Sequence, residues 1–407
     1  MSLTLPNHPS TKISVLSYIF TLSLVLVPFY SFKSGGLQFV DIPVVLIVLY
    51  TLFTNRKQEI EYIKRPLIAF STFLIFAIVV NVFHYIDTTD LFYIQASLWL
   101  IYAFFLFFSC IILFYRLLNN SYFLKCFYFG LLISTFVPLL FIYTARSEPI
   151  LRYNLSFNNP NQLALFAVLV WAMILALNNY YQKNIESLQL NKLLRRITLI
   201  CFCLSHCFVV LSASRAGFIS IILLDFMSLS FFKKNTRILL IIFLVVLSPL
   251  LILRSNGNDS TNLFLFERLK GHDFSNILRQ RINRLSELND FSLIIGKGKS
   301  GTEEANTAIG ETKKLEVHNT IFDIMFSYGL VGVCLFAWFL IAYFRVAFLN
   351  KFNCLILISL LPFHLSHNLI RFRLLWILYA LLYCISQIQF YKIDKRGKTY
   401  ENSCPQA

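Results

Sequence analysis

The sequence predicts an all-α, polytopic integral membrane protein with about twelve transmembrane helices. Three observations predict it: an apolar composition, a series of apolar runs of bilayer length, and a one-sided distribution of Lys and Arg. Of 407 residues, 57% are hydrophobic and 14% charged, outside the range of soluble globular chains. Hydrocarbon offers no partner to a backbone N–H or C=O, so segments that cross it must be helices, each of about 20 residues for a core about 30 Å thick. Runs of this kind lie at 13–31, 37–53, 67–86, 96–115, 124–145, 163–180, 198–214, 217–232, 238–253, 320–344, 352–368 and 374–390, and residues 1–407 read as a single transmembrane bundle. A polar dozen residues with one lysine precede the first run, and no small-residue cleavage pattern follows it. It therefore reads as a retained span.

Orientation follows from the short connections. With the N-terminus inside, the cytoplasmic pieces hold Lys12, Arg56, Lys57, Lys64, Arg65, Arg116, Lys125, Lys183, Lys192, Arg195, Arg196, Lys233, Lys234, Arg237, Arg345, Lys351, Lys392, Lys395, Arg396 and Lys398, which is 20 of the 36 basic residues. The short outer connections hold Lys33, Arg146, Arg152, Arg215, Arg371 and Arg373, and the other ten lie in one long loop, where the positive-inside bias does not operate. Both termini are expected to be cytoplasmic. The net charge of +16 is mostly accounted for by this topology and requires no nucleic acid. All nine cysteines fall in spans or on the inner side, so no disulfide framework is implied. Cys201, Cys203, His206 and Cys207 look like a metal cluster but sit in an apolar run, where they read as packing residues. No metal and no cofactor is expected.

Residues 254–317 break the apolar pattern and are expected outside, between spans nine and ten. Leu278, Ile282, Leu285 and Leu288 recur at helical spacing and predict a short amphipathic helix, with Arg281 and Arg284 on a neighbouring face. After Asn289–Asp290, residues 291–301 read as an extended piece entering a flexible glycine-bearing loop. A phosphate-cradling P-loop does not fit, because no Gly-Lys-Ser/Thr opens a helix at the required spacing. The loop ends at Val317-His318-Asn319-Thr320, and Thr320 with Asp323 has the form of a capping box. A helix over 320–344 is longer than the hydrocarbon core, so its start, with His318 and Asn319, should stand at the outer boundary.

His318 lies before the positive end of that helix dipole, which favours a neutral ring able to accept a proton. It can serve as a general base, or the His318-Asn319 pair can simply cap the helix. Arg215 sits between two spans with almost no polar loop to join them, a costly place for a guanidinium unless it snorkels or meets an anion. Arg279, Arg281, Arg284, Arg371 and Arg373 belong to the same outer mouth. Such a ring suits a diphosphate, through paired charge-assisted hydrogen bonds, or equally an anionic lipid headgroup. Asp225, the carboxylate near mid-span, has no evident basic partner nearby in sequence and reads as hydrogen-bonded inside the bundle; His364 and His367 read as packing or polar lining.

Three motifs resemble the bacterial O-antigen ligase and polymerase superfamily. His318-Asn319, nine residues, then Gly329-Leu-Val-Gly332 is similar to the ligase pattern of His followed by Asn, Ser or Gln, nine residues, and Gly-x-x-Gly. Ser212-Ala-Ser-Arg-Ala-Gly217 resembles the family's Ser-Arg signature, and Asn158-Asn-Pro-Asn-Gln-Leu-Ala164 heads the sixth span. The resemblance covers residues 155–345. Ile219 replaces the Leu of the family's Arg-x-x-x-Leu element, and Arg279, Arg281 and Arg284 compete for the place of the loop arginine that precedes Gly-x-Gly.

The resemblance implies a metal-independent, GT-C-like inverting glycosyltransferase of the bacterial inner membrane with a periplasmic active site. It implies an undecaprenyl diphosphate-linked O-antigen donor and a lipid A–core acceptor. His318 would activate the acceptor hydroxyl, while Arg215 and the loop arginines would neutralise the departing diphosphate, with Asn319, Arg371 and Arg373 at the substrate. The rivals are an O-antigen polymerase joining two lipid-linked repeat units and, from a different class, a polysaccharide or lipid transporter. Few intramembrane charges and no visible inverted repeat weigh against the last.

Overall fold

A computed structural model describes residues 11–30, 38–54, 57–142, 153–184, 188–228, 290–298 and 319–401. Every regular element among them is helical: α1 (Thr11–Leu26), α2 (Asp41–Thr54), α3 (Lys57–Thr88), α4 (Leu91–Leu117), α5 (Ser121–Phe136, continued by a 3-10 turn Val137–Phe141), α6 (Pro160–Asn184), α7 (Leu188–Ser212), α8 (Arg215–Ser228), α9 (Asp290–Ile295), α10 (Thr320–Ala347), α11 (Lys351–Ser359), α12 (Leu361–Ser366) and α13 (Arg373–Glu401). Eleven of the twelve apolar runs fall on these helices; the ninth, 238–253, lies outside the described residues. Among the described residues, seven helices are long and apolar enough to cross a membrane. With its many long apolar helices, the chain is a multi-pass membrane protein.

The helices are apolar on both sides, as a lipid environment demands. On α3, Phe70, Phe73 and Ala77 are fully buried while Ile68, Ile75, Val79 and Phe83 are exposed. Phe70 stacks on Phe339 of α10 and Trp376 of α13, with ring centroids 4.5 and 5.4 Å apart, and this aromatic seam joins α3, α4, α10 and α13. Helix α6 is enclosed almost throughout; every side chain from Leu163 to Leu177 is buried.

Two span boundaries depart from expectation. Helix α3 begins at Lys57, not near 67, and runs through Pro66. A proline lacks the N–H that the carbonyl four residues back requires; the Tyr62 carbonyl instead accepts from the Tyr383 hydroxyl of α13 at 2.9 Å. The run 352–368 is two helices, α11 and α12, broken where Pro362 enters the first turn of α12.

Two arginine forks bracket α2. At one end Arg116 of α4 grips Glu59, with Nε to Oε1 at 2.7 Å, and reaches the Thr54 carbonyl and hydroxyl, both at 2.7 Å. At the other, Arg373 of α13 binds Asp41 through Nε–Oδ1 at 2.6 Å and Nη2–Oδ2 at 2.7 Å, both residues buried. The Arg373 guanidinium also lies 4.7 Å from the Trp99 ring centroid. A bidentate pair out of water is costly to break from one side, because the surviving charge is left buried. Asp41→Ala is therefore expected to destabilise the protein by about 3–5 kcal/mol, read as denaturant unfolding in detergent, and Asp41→Leu/Arg373→Met should recover most of the loss. Equal losses in the single and double variants would show that the pair is not what holds this joint.

Candidate functional site

The site is assembled from helix starts, and local chemistry explains each. At the head of α6, Asn159 accepts from the Gln162 amide at 2.9 Å and Gln162 reaches back to the Asn158 amide at 3.2 Å, with Pro160 in the first turn. The Asn-Asn-Pro-Asn-Gln motif is thus a helix-initiating box. In the α7–α8 turn, Ser212 Oγ donates to the Val209 carbonyl at 2.6 Å and accepts from the Ser214 amide at 3.2 Å. Ser214 Oγ accepts from the Gly217 amide at 3.4 Å, which makes it the cap of α8. Arg215 follows as the first helical residue, half-buried. A Cβ on Gly217 would stand 2.8 Å from that of Ala164, so the motif at the head of α8 packs directly on the motif at the head of α6.

At the head of α10 the cap is Asn319, whose side chain accepts from the amides of Ile321 at 2.8 Å and Phe322 at 3.1 Å. The expected Thr320–Asp323 capping box is corrected accordingly. Both side chains are drawn instead to the strap after α12: Thr320 Oγ1 donates to the His367 carbonyl at 3.1 Å and accepts from the Leu369 amide at 3.2 Å, and Asp323 accepts from Asn368 at 2.9 Å. Asn319 Nδ2 donates to the Leu365 carbonyl at 3.0 Å. Helix α12 packs on both α8 and α10. The heads of α6 and α8 therefore meet at Gly217 and Ala164, and α12, bound at Leu365 by Asn319, bridges α8 and α10. Arg371, half-buried, leaves the same strap with its guanidinium 5.9 Å from the Phe92 ring centroid, whereas Arg373 is committed to Asp41. His318, Arg279, Arg281 and Arg284 lie outside the described residues, as does the expected amphipathic helix over 278–288.

The piece after Asn289 is neither extended nor loosely held where it is described. Residues Asp290–Ile295 form α9, closed by the Gly296 amide donating to the Ser292 carbonyl at 2.8 Å; a short apolar run does not distinguish strand from helix by its pattern. Gly296 and Gly329 then meet backbone to backbone. A Cβ on Gly329 would fall 2.3 Å from the Ile294 carbonyl oxygen, and one on Gly296 2.4 Å from that of Ser327. Gly329 interrupts α10 at φ 61°, ψ −167°, a region reserved for glycine, and the Phe326 carbonyl beside the break accepts from the Lys297 amide at 3.1 Å. His84 Nε2 donates to the Gly296 carbonyl and the Tyr93 hydroxyl to that of Lys297, each at 3.4 Å. Beneath, Asn81 donates to Ser97 at 3.0 Å and to the Tyr328 hydroxyl at 3.3 Å. The two glycine motifs are thus halves of one joint that pins the described end of the long loop to α3, α4 and α10.

Sequence reasoning overlooked His84, Tyr93 and Asp41. Only Asp41 carried a signal, an acid at a span end opposite a basic outer connection. Asp225 is hydrogen-bonded inside the bundle, to Trp171 Nε1 at 3.2 Å and His206 Nε2 at 2.8 Å, while His206 Nδ1 donates to the Phe202 carbonyl at 2.7 Å. Both ring nitrogens of His206 are thereby occupied. His364 Nε2 meets the Tyr379 hydroxyl.

No curated protein matches the chain. Residues 199–337, about a third of the chain and spanning α7 from Leu199 through most of α10, match the family model described as O-antigen ligase, and this match supports the chain's resemblance to the O-antigen ligase and polymerase superfamily.

Proposed function

We propose that the protein is an O-antigen ligase. It transfers a preassembled O-antigen glycan from undecaprenyl diphosphate to lipid A–core at the periplasmic face of the bacterial inner membrane, across which about twelve helices pass with both termini cytoplasmic. The observation that carries this reading is the packing of the α8 head on the α6 head, with α12 bridging α8 to α10. It links three motif-bearing helices far apart in sequence, with Arg215 opening α8 and His318 covalently next to the cap of α10.

In the reaction, the acceptor hydroxyl oxygen attacks the anomeric carbon of the donor sugar as the bond to the phosphate oxygen breaks. Undecaprenyl diphosphate leaves with the bonding electrons, the hydroxyl proton passes to His318, and the configuration inverts. A diphosphate is a good leaving group already, so charge stabilisation serves it better than acid catalysis. Arg215, Arg371 and one or more of Arg279, Arg281 and Arg284 supply that charge. Asn319 holds the head of α10 against the strap, and Arg373 acts through Asp41 as a positioning residue. No metal takes part.

In a strain that makes smooth lipopolysaccharide through this protein, normally expressed His318→Ala should leave full-length O-antigen on the polyprenyl carrier and bare core on lipid A. Single repeat units on core would identify a polymerase, and carrier loaded on the inner side a flippase. Core still capped with long chains would remove His318 from the reaction.

A further inference from the structure

At the opposite end of the bundle from the α10 cap, a cleft of 630 Å³ opens between α3, α10 and α13. Its rim carries Lys64, Arg65 and Arg345, all exposed, and its wall is formed by Ile68, Trp338 and Ile341, exposed as well. One acid, Glu61, shares the rim and pairs with Lys64 at 3.2 Å. The floor is built, not incidental. Pro66 frees the Tyr62 carbonyl, the Tyr383 hydroxyl donates to it at 2.9 Å, and Gln387 donates to Tyr383 at 3.4 Å. The interruption of the α3 ladder and its repair from α13 therefore lie in the cleft itself.

Three cations against one acid make the polar end anion-selective, while an aliphatic wall with an exposed indole is the surface that acyl chains and the headgroup boundary favour. A free anion would have no use for that wall, and a neutral lipid none for the net charge. We propose that this cleft binds an anionic phospholipid of the cytoplasmic leaflet, its phosphate against Arg65, Arg345 and Lys64 and its acyl chains along Ile68, Trp338 and Ile341. The proposal is independent of the enzymatic reading, since none of these residues belongs to the transferase site.

The test uses the full chain in neutral detergent, with retained lipid counted by native mass spectrometry. Phosphatidylglycerol should be held at least tenfold more tightly than phosphatidylcholine. Lys64→Gln/Arg65→Gln/Arg345→Gln should abolish that preference, at roughly fivefold for each charge removed. Lys125→Gln/Arg195→Gln, two exposed basic residues on other helices, should keep it, and an unchanged melting temperature in phosphatidylcholine certifies the triple variant as folded. Trp338→Ala should weaken phosphatidylglycerol severalfold without restoring parity with phosphatidylcholine. Equal retention of the two lipids, a triple variant that keeps the preference, or full displacement by millimolar inorganic phosphate would each overturn the proposal.

Discussion

Replacing Arg215 with alanine is expected to lower glycan transfer by about a hundredfold or more, the usual consequence of removing a charge donor aimed at a developing anion, while the protein remains folded. The turn that presents Arg215 is set by Ser212, Ser214 and the Gly217–Ala164 contact, none of which uses the guanidinium. Arg215→Lys should recover only part of the loss, since a point charge does not reproduce the paired donors of the fork. Donor retention on the purified variant, measured beside the rate, separates the possibilities: a drop in rate larger than the drop in donor binding identifies stabilisation of the leaving diphosphate. A variant with wild-type transfer would place Arg215 among snorkelling residues.

The second large effect is structural. Gly329→Ala should cost at least about 3 kcal/mol, because the backbone there occupies a conformation that side chains forbid and the new Cβ would stand 2.3 Å from the Ile294 carbonyl oxygen. Helix α10 can accept alanine only by straightening, which breaks the Lys297–Phe326 hydrogen bond and releases α9. Amide exchange over 290–298 should therefore accelerate strongly, with transfer falling alongside it. Leu330→Ala, at the next residue and exposed, should stay within about 0.5 kcal/mol. Unchanged exchange in Gly329→Ala would mean that the glycine joint does not hold the loop.

The described helices were legible because hydrocarbon leaves so little choice: an apolar run of twenty residues must be helical, whatever it packs on. What could not be read was how polar ends are satisfied at a distance. The third apolar run starts at 67, just after Pro66, and it is Tyr383, 317 residues on, that supplies the bond carrying α3 through that proline. Thr320 and Asp323 had the spacing of a capping box, but residues 367–369 compete for both side chains and Asn319 takes the cap. By sequence Gly296 reads as part of a flexible loop and Gly329 as the first glycine of a motif, because what explains the backbone of either is the other's. At the candidate site, Arg215 and Asn319 stood out as polar residues at span ends. Arg373 stood out for the same reason and is committed to Asp41, a partner that only the meeting of α2 and α13 reveals.

The central claim, an inverting and metal-independent transfer that depends on His318 and Arg215, is tested most directly with the purified protein, undecaprenyl diphosphate-linked O-antigen and lipid A–core in the presence of EDTA. The account predicts that the wild type forms O-antigen-capped core with the anomeric configuration reversed, and that His318→Ala and Arg215→Ala, equally folded, form about a hundredth as much or less. Capped core made at the wild-type rate by either variant, or abolished by EDTA alone, would contradict it.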